Sequence, residues 1–146
     1  MRFFLACLLG ATLLPQTGIS SEVPYTVVVS SASPLTRVSR RDLAKIFLRK
    51  SVRWQDGREA QPVDQSVRSQ VRAAFTRDVL KVEGLGQISA VETYWRQEVY
   101  SGRNTPPPVK PSDSDVVAYV VSNVGAVGYV SSQAPFEGVK PVAVQD

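Results

Sequence analysis

The residues best placed to do chemistry lie between Asp64 and Arg72, in the order Asp-Gln-Ser-Val-Arg-Ser-Gln-Val-Arg. Ser66 or Ser69 opens a helix here. The first amides of a helix lack internal partners and carry the positive end of its dipole, so they attract oxyanions. Ser66 and Ser69 add hydroxyl donors, and Arg68 and Arg72 bring guanidinium forks that suit phosphate or carboxylate. With Gln70 in the first turn, the expected anion-binding set is Ser66, Arg68, Ser69, Gln70 and Arg72. Asp64 stands beside that set as a fixed negative charge. The plainer alternative is that a serine caps the helix, as serine commonly does, and that the arginines are solvated.

Other chemistry is poorly supplied. The chain has no histidine, and its single cysteine is Cys7. Ser-His and Cys-His nucleophile pairs are therefore absent, and so are the usual zinc ligand sets. No catalytic residue, metal or cofactor is expected, and the chain reads as a non-enzyme. Asp113 and Asp115 sit at a helix start, where the dipole favours acids, and do not read as an acid/base pair. Gly125 and Gly128 open a strand and do not join a strand to a helix, so they are no nucleotide loop. Trp54, Tyr94, Trp95 and Tyr100 are spaced as core aromatics.

Positioning these residues takes a run of short elements. Residues 1–20 read as a secretory leader: Arg2, an apolar stretch from Phe3 to Leu14, then small polar residues, with cleavage near Ser20-Ser21. That implies export, loss of Cys7, and no membrane span in the mature chain. The remaining residues, 21–146, number about 125, enough for one domain with an ordinary core. Seventeen Lys+Arg stand against thirteen Asp+Glu, a mild excess that suits an anionic ligand or an acidic surface without demanding either. Nucleic acid is not an expected partner after export.

Tyr25–Ser30 reads as a strand covered on both faces. Ser39 with Asp42 opens a helix whose Leu43, Ile46 and Phe47 share one face. The basic segment from Arg37 to Arg53 has Asp42 as its one acid. It reads as a solvated face, with docking on acidic lipid or an acidic partner as the functional alternative. Trp54–Gly57 is a tight turn and Ala60–Val63 a short strand. Helices follow from Ser66 or Ser69 to about Leu80, from a Ser89–Glu92 capping box to about Tyr100, and from a Ser112–Asp115 box to about Ser122. The proline-rich 105–111 must be extended. Gly125–Val130 and Val139–Val144 are the last strands. This alternation predicts an α/β domain with a mostly parallel central sheet flanked by helices.

Two stretches carry a resemblance. Asp42-Leu43 to Ile46-Phe47, the Trp54/Asp56/Gly57 turn and Pro62-Val63 resemble one lobe of the type 2 periplasmic binding proteins, in particular the phosphate-binding proteins of ABC transporters. Gly125 to Val130 is similar to that family's Gly-Ala-Ile-Gly-Tyr-Val. The family holds its ligand between two lobes, and this chain has residues for one. The family places an arginine and then Ser-Gly-Thr at the ligand turn. Alignment on Phe75 puts the serine at Ser69, with Gln65, Gln70 and Val71 at the other three positions. Ser69, Arg72 and Phe75, with Tyr94-Trp95 and Tyr100-Ser101-Gly102, also resemble a class of short, single-lobe exported proteins labelled as phosphate-transporter binding components. The resemblance implies a single lobe that binds phosphate or a related oxyanion weakly in the periplasm, in association with phosphate ABC transport. The missing wall would come from a homodimer or another envelope protein. The alternative it leaves is an interaction module of the cell envelope that kept the lobe and lost the ligand.

Overall fold

A computed structural model describes residues 24–146. The leader, its cleavage near Ser20-Ser21 and Cys7 lie outside the described residues.

Strand β1 (Tyr25–Ser30) is the centre of the molecule. Its β-branched run is buried on both faces: Val27 and Val29 enter one apolar cluster and Val28 the other, the period of two that a pleated strand dictates. β2 (Arg37–Ser39) leads into α1 (Arg40–Phe47), where the Ser39 hydroxyl accepts the Asp42 amide at 3.0 Å. Arg49, just past the end of α1, sits at φ 53°, the left-handed conformation that usually falls to glycine. The Trp54–Gly57 turn closes with a 2.9 Å bond from the Gly57 amide to the Trp54 carbonyl, and Gly57 adopts φ 85°. β3 (Gln61–Pro62) and β4 (Asp64–Gln65) follow, then α2 (Gln70–Asp78) and a short 3-10 helix over Leu80–Glu83. α3 (Ile88–Tyr100), β5 (Val109–Lys110), α4 (Asp113–Ser122), β6 (Ala126–Ser131), β7 (Val139–Pro141) and β8 (Ala143–Gln145) complete the order.

The central sheet runs β3-β6-β1-β7, with helices α1 to α3 on one face and α4 on the other. The α/β class with a flanked central sheet holds. The expected mostly parallel pairing needs correction, because β1 is antiparallel to both β6 and β7 and β3–β6 is the parallel pair. Alternation of strand and helix suggested parallel crossovers, but β6 and β7 return from the far end of the chain to bracket β1. Two small parallel pairs, β2–β8 and β4–β5, stand apart from this sheet. Two local expectations also differ. The run Val139–Val144 divides between two sheets, and α3 starts at Ile88 after Gln87, without the Ser89 cap.

Phe75, at the heart of the larger cluster, stacks on Tyr129 with ring centres 4.1 Å apart and planes 9° from parallel, and meets Phe47 at 4.6 Å. This aromatic block fastens α1 and α2 to β6. It also places the start of α2 beside the end of β4, which is where the polar groups converge.

Candidate functional site

Asp64 opens β4, two residues past the end of β3, and its amide bonds the Pro108 carbonyl at 2.9 Å, so the proline segment forms one wall. Its carboxylate is buried. Oδ1 accepts the Tyr129 hydroxyl in a short hydrogen bond and the Gln65 amide at 2.9 Å, while Oδ2 faces Arg72 Nη2 at 3.4 Å. Burial holds the Asp64 carboxyl above the usual carboxylate range, against the pull of Arg72, Tyr129 and the Gln65 amide. Burial likewise pushes the Tyr129 phenol well above its ordinary value, with Asp64 adding to the shift.

Gln65 ties the neighbouring elements together. Its side-chain amide donates to Asp113 at 2.8 Å and to the Tyr129 carbonyl at 2.9 Å, and its Oε1 accepts the Ser69 hydroxyl at 2.9 Å. Ser69 in turn caps α2, accepting the Arg72 amide at 3.2 Å. Arg72 turns inward: Nη1 donates to the Gln65 carbonyl at 2.9 Å, and Nη2 lies between Asp64 and Glu92, the latter at 3.9 Å.

The five residues of the expected anion set thus divide. Ser69 and Arg72 belong to a buried network whose donors meet the protein's own acceptors. Ser66 accepts the Arg68 amide at 3.3 Å, which leaves its proton as a donor. Arg68 and Gln70 are exposed, and the Arg68 guanidinium has no carboxylate partner among the described residues. Ser66 and Arg72, but not Arg68, line a cleft of about 630 Å³ between the start of α2, α3 and the proline segment. Its charges balance, Arg72 and Arg96 against Asp64 and Glu92, and much of its wall is apolar. Val67, Val99, Val109 and Tyr100 stand on this cleft with exposures of 47, 54, 53 and 95 %. Of the aromatics expected in the core, Trp54 and Trp95 are buried and Tyr94 is partly buried, its hydroxyl bonded to the Leu48 carbonyl at 2.7 Å. Tyr100 departs from that expectation: the last turn of α3 carries it clear of the sheet.

Sequence reasoning noticed Asp64 but missed Tyr129, Glu92 and Arg96. The signal for Tyr129 was a lone phenol in an otherwise small and apolar strand, since a buried tyrosine hydroxyl needs a partner. Among the described residues no group of three His, Cys, Asp or Glu could hold a metal ion, and no helix is long and apolar enough to cross a membrane.

No family model and no curated protein matches the sequence. Solved structures do match. An ABC-type phosphate transport receptor from Vibrio cholerae is 19% identical at a TM-score of 0.62, over 83% of this chain and 46% of that one. A phosphate ABC transporter substrate-binding protein from Clostridium perfringens, solved with phosphate bound, is 18% identical at 0.62, over 84% and 46%. PstS from Borrelia burgdorferi is 13% identical at 0.61, over 83% and 47%. The chain spans less than half the length of each. At these identities what is shared is the backbone path, and it is that of a single lobe of a phosphate-transporter binding protein.

Proposed function

We propose that this chain is an exported, binding-protein-like lobe that works by pairing face to face with a second lobe across the α2–α3 cleft, and that the partner is a second copy of the chain. The observation that carries this reading is the gathering of Val67, Val99, Tyr100 and Val109 on one cleft. Exposed apolar side chains are ordinary when scattered and mark a contact surface when contiguous. The balanced charges inside favour self-pairing. In a two-fold interface each patch meets its own copy, so Arg96 of one chain can approach Glu92 of the other. The compartment we propose is the periplasm, as the resemblance to periplasmic binding proteins implies, and the role is binding rather than catalysis.

A second reading keeps a weak oxyanion contact at the same face, with phosphate as the candidate and phosphate ABC transport as the setting. Arg68 and the Ser66 hydroxyl favour it, together with the first-turn amides of α2 and the phosphate held by the C. perfringens protein. Asp64, Glu92 and Asp113 oppose it. Small-ligand sites usually enclose most of their ligand, so an open lobe would hold phosphate weakly until a second wall arrives.

Sedimentation of the mature protein tests the first reading. A dimer is expected, dissociated by Tyr100→Glu with Val99→Glu while the urea midpoint is preserved. A monomer at every concentration would rule out self-pairing and leave another envelope protein as the occupant to seek. Phosphate titration followed by amide NMR tests the second. Shifts should begin at residues 66–72, and a flat titration at millimolar phosphate removes the anion contact.

A further inference from the structure

A separate cleft of about 750 Å³ shares no lining residue with the one already described. One wall is the continuous segment Pro34–Ser39, which contains β2. The other is α1 with Ser51 and the Arg53–Asp56 turn. Its apolar floor is Val38, Ile46 and Trp54, all buried, with the partly buried Leu35. Around that floor stand four cations, Arg37, Lys45, Lys50 and Arg53, against the carboxylates Asp42 and Asp56.

Both carboxylates are already engaged. Asp42 accepts the Gln55 amide at 3.0 Å, and Asp56 is paired with Arg58 at 2.7 Å. Lys50 is paired with Glu83 at 2.8 Å. Arg37, Lys45 and Arg53 have no carboxylate partner among the described residues, and Arg53 Nη1 rests on the Gly57 carbonyl at 3.0 Å. Asp42 keeps its charge, since its partner is a neutral amide, and the three unpaired cations outnumber it, so the surface is net positive over an apolar trough.

The backbone adds a second feature. Within the described residues β2 is paired on one side, with β8. The Ala143 amide bonds the Thr36 carbonyl at 3.0 Å, and Arg37 is the residue opposite Ala143. In a parallel ladder that arrangement turns the Arg37 N–H and C=O away from β8, towards an open strand edge.

We propose that this cleft binds an extended, acidic peptide segment of another protein, added as a strand along β2. The edge supplies main-chain hydrogen bonds, and the trough takes alternate apolar side chains. Arg37, Lys45 and Arg53 read the acidic positions between them. Strand addition to an open edge works in this way, with the backbone giving affinity and the side-chain pockets specificity. A flat anionic bilayer fits less well, because floor residues at the bottom of a concave trough cannot reach it. The proposal goes beyond the self-pairing face and stands if that face fails.

The test uses the mature chain and a labelled peptide pool with glutamate at alternate positions and random apolar residues between, read by fluorescence anisotropy. Binding is expected, with no binding of the matching lysine pool, and with affinity falling as salt is raised. Arg37→Glu with Arg53→Glu should weaken it by about tenfold or more. Both side chains are exposed, and Lys45→Gln offers a single-site check of the same contact should the double variant fold poorly. Hydrogen exchange should show new protection at the Arg37 amide when peptide binds. Equal binding of both pools, binding of anionic vesicles but not of peptide, or peptide binding without protection at Arg37 would each overturn the proposal.

Discussion

Asp64 is a carboxylate kept from water by the fold, and its response to pH is the inverse of a surface salt bridge. Its value in the unfolded chain is close to the ordinary 3.8, and burial raises the folded one. The folded state therefore holds the proton more tightly than the unfolded chain does. The stability this contributes is complete below about 3.8 and is lost as pH rises through the folded value. Asp64→Asn keeps the shape and cannot ionise. Urea unfolding of both proteins should therefore show the variant gaining on the parent as pH rises from about 4 through the folded value. If the parent gains instead, the Arg72 pairing outweighs desolvation and the carboxyl is held below 3.8. Asp64 was legible in the sequence as a negative charge beside the helix start. Its burial was not, because the groups that enclose it come from Tyr129, Arg72 and the proline segment, far apart along the chain.

Elements were read well where a local signal fixes them. Ser39 and Ser112 cap α1 and α4 as expected, and Ser69 caps α2. The Ser89–Glu92 box failed although its spacing is right. The Glu92 carboxylate faces Arg72 across the cleft, and the Ser89 carbonyl already serves the helix, accepting the Thr93 hydroxyl at 3.0 Å. β2 escaped notice because three residues before a strong cap carry little signal of their own. Gly128 belongs to this scale too. It lies in β6, as the strand expected over Gly125–Val130 requires, and it also makes a close contact: a Cβ there would stand 2.6 Å from Val116 Cγ1 and 2.9 Å from Val63 Cγ1. Neither neighbour is flexible, since both valines are fully buried between α4 and the sheet. Gly128→Ala should cost about 1–3 kcal/mol, measured as a lowered urea midpoint at unchanged slope. A cost near zero would mean that α4 moves off the sheet freely.

At the largest scale, the described residues form two apolar clusters sharing one sheet. β1 and β6 send alternate residues to each side, so neither cluster can melt without exposing strands that the other needs. Residues 24–146 alone should therefore unfold in a single transition, with circular dichroism and tryptophan fluorescence coincident. Two separated transitions would show that α4 and its cluster form a unit of their own. The apolar rim beside the start of α2 is what turns the functional reading towards a partner.

The likeness to one lobe of a binding protein rests on the order of its motifs, while the sequence by itself determined the class, the helices, the serine caps of α1, α2 and α4, and the central strand. These rest on periodicity and on side-chain-to-backbone bonds spanning three or four residues, which are local and therefore readable. Strand direction, the split of the last strand and the fate of the anion-binding set were decided by tertiary structure. Whether a guanidinium faces solvent or a carboxylate depends on which distant segment is packed beside it. For Arg72 that segment is the start of β4, which presents Asp64.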